Sequence, residues 1–202
     1  MREIWIHAEG GGSATQKERL RQALGAFLNE LQARARSRGV RIRATFWGPR
    51  SETYAAFSRS RRQSPATLHL LLVDSEGPAS TPARQHLSNV DGWDLAGVGE
   101  QECHLMVEVM ESWFLADPEA LAGYFGQGFS IEALPPTQDV ERIAKNTILD
   151  KLNRAARNTR KQRYEKGRDA HQILERLDAG KVRGRARHCE RLFAFIEQRL
   201  SS

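Results

Sequence analysis

The chain has few cysteines, no long apolar run and no familiar nucleotide-binding fingerprint, and each lack narrows its chemistry. Cys103 and Cys189 are the only two thiols in 202 residues, and neither sits in a Cys-x-x-Cys pair. That argues against a disulfide framework or a structural zinc site and fits a reducing cytoplasm. No apolar stretch approaches the roughly 20 residues that span a bilayer. Met1-Arg2-Glu3 carries an acid where an export signal needs a basic and then an apolar segment, so a cytoplasmic localisation is expected. Gly10-Gly11-Gly12 has neither the Lys-Ser/Thr of a P-loop nor the spacing of a dinucleotide fingerprint. Ser75 has no histidine–aspartate partner identifiable by sequence, which argues against a serine nucleophile. Internal repeats and low-complexity tails are also missing.

What is present is ordinary in amount and uneven in placement. Apolar residues make up 40% of the chain and charged residues 28%, the balance of a globular protein. The net charge of +6 is split: residues 1–139 carry 14 Lys+Arg against 17 Asp+Glu, whereas residues 140–202 carry 17 against 8. This asymmetry suggests a catalytic α/β domain over 1–138 and a basic helical C-terminal region over 139–202 packed on it, the latter suited to a polyanion. The plainer alternative is an Arg-rich solubilising surface.

Periodicity predicts an α/β fold. Strand-like runs cover 2–9, 40–47, 68–73 and 104–110, the third almost wholly apolar as a strand covered on both faces should be. Between the first two, Leu20, Leu24, Phe27, Leu28 and Leu31 mark one helix over 15–36. Ser51 is positioned to cap a helix to about Arg61 with Tyr54 and Phe57 inward, and Asp117 before Pro118 to cap another through Tyr124. Alternating strands and helices predict a mostly parallel sheet of about four strands flanked by helices. The polar stretch 75–102 reads as a long loop of the functional kind. From Asp139 a helix should carry Val140, Ile143, Ile148, Leu149 and Leu152, followed by a basic loop over 157–168 and helices at 170–177 and 185–200.

The chemistry concentrates where strands end. Glu9 closes the first run before three glycines, and Asp74-Ser75-Glu76 closes the third before Gly77-Pro78. Acids at the C-terminal edge of an open α/β sheet lie where such folds carry their sites. Residues two apart on a strand share a side, so Asp74 and Glu76 are expected to converge. Three oxygen ligands from Glu9, Asp74 and Glu76 suit Mg2+ or Mn2+. The alternative is that they are acids in solvated turns. Glu111 follows the fourth run as a further ligand, a water-orienting group or a helix-start acid. His86 in the long loop is a candidate phosphate contact, while His7 and His69 sit inside strands as packed, hydrogen-bonded residues. Lys145, Arg157, Arg160, Lys161, Arg163, Tyr164, Lys166 and Arg168 form a candidate nucleic-acid-binding set, with Tyr164 available for base stacking. Arg183, Arg185 and Arg187 make a second basic cluster.

Glu9-Gly10 and Asp74-Ser75-Glu76 resemble the Glu-Gly and Asp-x-Asp hallmarks of the Toprim fold of topoisomerases, bacterial primases and overcoming-lysogeny-defect nucleases. More specifically, nearly the whole chain is similar to an uncharacterised bacterial family, domain of unknown function 4276. The matching stretches are Ala8 to Gly12, Leu71 to Glu76, Asp91-Gly92-Trp93, His104 to Asp117 and Tyr164 to Arg168. The resemblance implies a Toprim-like, Mg2+-dependent nuclease on DNA or RNA phosphodiesters, with Glu9, Asp74, Glu76 and Glu111 as catalytic residues. It also implies a link to ATPase-associated antiphage defence. Glu76 stands where the hallmark has Asp, which leaves open a site that binds metal weakly or has lost catalysis. The competing expectation is a non-catalytic assembly module for an ATPase partner or nucleic acid. A third is a phosphatase-like enzyme on small molecules, which the basic C-terminal half disfavours.

Overall fold

In the computed structural model, which describes residues 2–136 and 138–201, four parallel strands form one sheet in the order β2-β1-β3-β4. They are β1 (Arg2–Ala8), β2 (Val40–Phe46), β3 (Leu68–Asp74) and β4 (Cys103–Met106). The inner strand β3 is buried from His69 to Asp74 because helices cover both faces. Its side chains alternate accordingly: Leu70 and Leu72 enter one apolar cluster, Leu71 and Val73 the other.

One face is covered by α3 (Arg50–Gln63) and α4 (Ala83–Asp91), which contribute Phe57, Ala83 and Leu87. The other carries α1 (Ala14–Phe27), α2 (Asn29–Ser37), α5 (Glu111–Leu115) and α6 (Pro118–Phe125). It continues into α7 (Lys145–Ala156), α8 (Lys166–Leu174), α9 (Ala179–Arg185) and α10 (Arg187–Ser201). The larger cluster joins Ile4, Leu24 and Leu72 to Ile148, Ile173, Leu192 and Ile196. The acidic front and basic tail therefore share one core across residue 138. Among the described residues, no helix is long and apolar enough to cross a membrane.

Several boundaries differ from expectation for identifiable reasons. The helix expected over 15–36 is interrupted at Leu28, giving α1 and α2. Ser13 and Gln16 close a reciprocal capping box at the start of α1, satisfying amides that a helix start leaves open. Ser51 is not a cap: Pro49, extended at φ −60° and ψ 159°, occupies the N-cap position and α3 begins at Arg50. The polar stretch 75–102 is no structureless loop, since it holds α4, closed by Gly92 in the left-handed conformation at φ 66°. The fourth strand ends at Met106 instead of running to Met110. Val140–Arg142 is a separate 3-10 turn, and the helix expected from Asp139 starts at Lys145. Asp117 caps α6 as expected, accepting from the Ala120 amide at 3.3 Å.

Candidate metal centre

The acids converge at the C-terminal edge of the sheet. One carboxylate oxygen from each of Glu9, Asp74 and Glu76 lies within 4.8 Å of the other two. The Glu9 amide extends the ladder by donating to the Leu72 carbonyl at 2.9 Å, and the Glu9 carboxylate accepts from the Asp74 amide at 3.1 Å. Strand alternation does not bring in Glu76, because β3 ends at Asp74. Glu76 instead adopts φ 61°, a conformation that costs an L-residue on the order of 1 kcal/mol. Hydrogen bonds donated by the Ser75 amide to the Met106 carbonyl and by the Glu76 amide to the Glu108 carbonyl, both 3.0 Å, hold this turn. His86 is buried, with Nε2 2.9 Å from the Ser75 carbonyl. It shapes the turn and is no loop group facing solvent, because the segment that carries it is α4.

Glu111 joins the group as a buried fourth acid. Its Oε1 accepts from the Tyr164 hydroxyl at 2.8 Å, and its Oε2 is buried with no hydrogen-bond partner. Lys166 Nζ stands 3.5 Å from Glu111 and 3.9 Å from Asp74. Lys145 Nζ donates to Glu76 at 2.6 Å. The polar ends of three residues expected to form a nucleic-acid surface therefore meet the acids, with Lys145 and Lys166 still open to solvent. Tyr164 is not an open stacking platform, since its ring is buried and its hydroxyl is committed to Glu111.

The other members of that set are dispersed. Arg168 forks onto the buried Asp169, Lys161 lies over the Tyr124 ring at 4.3 Å, and Arg163 pairs with Glu165 at 3.0 Å. Arg157 and Arg160 are exposed. In the second cluster, Arg183 is bound to Glu190 and Glu197, while Arg185 donates to the Leu115 and Ala116 carbonyls. Both positions are structural.

Arg50, not singled out from sequence, is the central organiser. Its Nε and Nη2 fork onto Asp91 at 3.0 and 2.5 Å, a bidentate fit that only a guanidinium offers. Its Nη1 donates to the Asp74 carbonyl and lies 3.4 Å from Glu9 Oε2. The guanidinium also lies 5.4 Å from the centre of the Trp93 ring, which in turn stacks on Tyr54 at 4.5 Å. One side chain thus ties α3, the end of α4 and both acid-bearing strands together. The Asp91-Gly92-Trp93 stretch was the available signal, but nothing in the sequence pairs it with Arg50.

Burial dominates the electrostatics of the acids. Burial raises the Glu9 carboxyl to about 7 against the pull of Arg50. Asp74 is pushed up to about 8, chiefly by burial, with Lys166 opposing and Glu9 and Glu111 adding to the rise. Crowded, desolvated carboxylates hold protons that a divalent ion would displace. Three carboxylates with no nitrogen or sulfur donor fit a hard ion such as Mg2+ or Mn2+. A cleft of about 380 Å3 opens onto Glu9 and Asp74, between the Gly10–Gly12 turn and the start of α8.

His7 and His69 are packed as expected, on the sheet face away from the cleft's helices. The Trp47 indole donates to His7 Nδ1 at 3.0 Å, so His7 carries its proton on Nε2 and donates to His69 Nδ1, also at 3.0 Å. His69 then offers Nε2–H to the Ser64 carbonyl at 3.3 Å.

Comparison with curated proteins and comparison with solved structures each return no match. A family profile does match, over residues 8–197, a span that holds the four acids, Arg50, Tyr164 and Lys166. The chain accordingly belongs to the family described as domain of unknown function DUF4276.

Proposed function

We propose that the protein is a divalent-metal-dependent nuclease of Toprim-like type, acting on nucleic-acid phosphodiesters. The observation that carries this reading is the approach of Glu9, Asp74 and Glu76 oxygens within 4.8 Å at the sheet edge. Mg2+ or Mn2+ held there supplies Lewis acidity and charge neutralisation at the phosphate. Glu9, Asp74 and Glu76 are the holding groups, and Arg50 fixes the Glu9 carboxylate and the Asp74 backbone. Lys166, kept cationic by Glu111 and Asp74, faces the charge that develops on the phosphoryl oxygens. Glu111 sets the position of that ammonium, and Tyr164 stays protonated and orients Glu111. Arg157, Arg160 and Arg163 are the exposed cations available to a flanking strand. Purified protein should cleave a DNA or RNA oligonucleotide with Mg2+ or Mn2+, and Asp74→Ala should abolish cleavage while the fold survives. Equal cleavage in EDTA would overturn the metal mechanism.

A second reading, an assembly module without catalysis for an ATPase or another partner in a defence system, is favoured by one observation. Lys145 already neutralises Glu76 at 2.6 Å and Lys166 contacts two more acids, so the cluster is partly paired without any ion. Calorimetry with Mn2+ separates the two: no metal uptake selects the assembly module.

A further inference from the structure

The cleft beside the acids limits what the proposed nuclease can take. Its floor is Glu9 and Asp74, one wall is the glycine turn with Gly48, and the other is the start of α8 at Lys166 and Gly167. Leu20, Met110 and Ala170 supply apolar surface inside it. At about 380 Å3 it belongs with sites that enclose one small-molecule-sized unit.

Neither wall is free to retreat. Gly10 and Gly11 have φ 138° and 78°, and a side chain on Gly11 would meet the Lys17 backbone at 3.0 Å. The turn is therefore already pressed against α1. On the other side, the fully buried Asp169 accepts from the Tyr124 hydroxyl at 2.6 Å and the Glu165 amide at 2.7 Å, fixing the first turn of α8. The acids are recessed: the Glu9 and Asp74 side chains are 14% and 7% exposed.

A volume of this size matches one nucleotide out of the stack better than a stacked base pair. We propose that the cleft receives a single unpaired nucleotide, so that the protein selects single strands over intact duplex. Enzymes that read a nucleotide in a pocket act on single strands or flip the nucleotide out, and flipping weakens their hold on paired DNA. The glycine turn lets backbone approach the phosphate closely, and the apolar patch faces the base. The inference rests on the phosphodiester reading above, but binding alone tests it.

The experiment is fluorescence anisotropy at physiological salt in EDTA, with labelled single-stranded DNA, the matched duplex, and the duplex carrying one unpaired nucleotide. Mn2+ calorimetry runs in parallel. The single strand should bind at least tenfold tighter than the duplex, with the bulged duplex between, and a nucleoside monophosphate should displace the single strand. Gly167→Leu, which fills the slot from its wall, should remove that preference and leave Mn2+ affinity within twofold. Gly167→Ala, whose methyl would meet the Gln16 side chain, with Nε2 at 2.8 Å and Cδ at 4.0 Å, should do the same more weakly and guards against misfolding. Equal affinity for strand and duplex, or a preference untouched by both variants, overturns the slot. Absence of Mn2+ binding with the preference intact overturns the metal reading and spares the slot.

Discussion

Replacing Asp74 by Asn should stabilise the metal-free protein while destroying its response to metal. Asp74 is raised from an ordinary value of 3.8 to about 8, mainly by burial. A carboxyl whose folded value lies above its unfolded one contributes stability that is fully present below pH 3.8 and lost as pH rises through about 8. At about 1.4 kcal/mol per unit, keeping Asp74 protonated in the native state while the unfolded chain ionises costs about 4 kcal/mol at pH 7 and about 2 at pH 5. An amide is never ionised and keeps the oxygen that accepts from the Met110 amide at 2.8 Å. Its new N–H groups and the lost Lys166 attraction offset part of the gain. If half survives, Asp74→Asn gains about 2 kcal/mol at pH 7, which for a chain of this size is about 4–8 °C in melting temperature. The advantage should grow at pH 9 and shrink towards pH 5. Mn2+ at a hundredfold excess over its dissociation constant should add about 2.7 kcal/mol to the wild type and nothing to the variant, so their order reverses. Thermal and urea unfolding at pH 5, 7 and 9, in EDTA and in Mn2+, read all of this. A variant less stable than wild type at every pH in EDTA would refute the reasoning, as would a wild type indifferent to Mn2+.

Arg50→Ala should cost about 2–4 kcal/mol in urea unfolding, because it strands Asp91 and Glu9 together, and it should weaken Mn2+ binding in calorimetry. Arg50→Lys should recover less than half of either loss, since an ammonium cannot fork onto Asp91. Below pH 6.5 a separate loss is expected: burial, then His69, holds His7 down to about 4, so its contribution is present above 6.5 and lost as pH falls through about 4. That loss reaches about 3 kcal/mol, is best followed by urea midpoints in the Asp74→Asn background, and should vanish in His7→Phe. Neutralising Arg157, Arg160 and Arg163 together should lower the log–log salt slope of single-strand binding by about two, at roughly 0.7 per phosphate released. An unchanged slope would leave that surface without a role in binding.

The fold and three acids were legible because parallel strands buried on both faces must be apolar runs, and their C-terminal ends must turn. Leu70 to Val73 followed by Asp74 is such a signal, and so is Ile4 to Ala8 followed by Glu9. The route by which Glu76 arrives was not legible, since a left-handed turn at a non-glycine residue leaves no periodic trace. Arg50 was hidden for a different reason: it is one of 31 basic residues, and its role depends on Asp91 and Glu9, each about 40 positions away in sequence. The same distance effect split the basic set. Charge counting groups Lys145, Tyr164 and Lys166 with Arg157 and Arg160, but only the folded chain shows which of them meet Glu76 and Glu111. Helix α4 was missed because His86 occupies an inward position and the segment around it is polar.

The shared core has a bearing on how the protein is made. Glu9, Asp74 and Glu111 leave the ribosome well before Tyr164 and Lys166, at a pace of roughly 5–20 residues per second. Until α8 arrives, Glu111 lacks its hydroxyl donor and its ammonium, and the face of the sheet bearing Ile4 and Leu72 lacks Ile173, Leu192 and Ile196. A growing chain therefore holds the acids but neither the slot nor its cation. The order of the chain thus builds in a delay: a nascent chain beside messenger and ribosomal RNA lacks the assembled site until its basic helices have folded back.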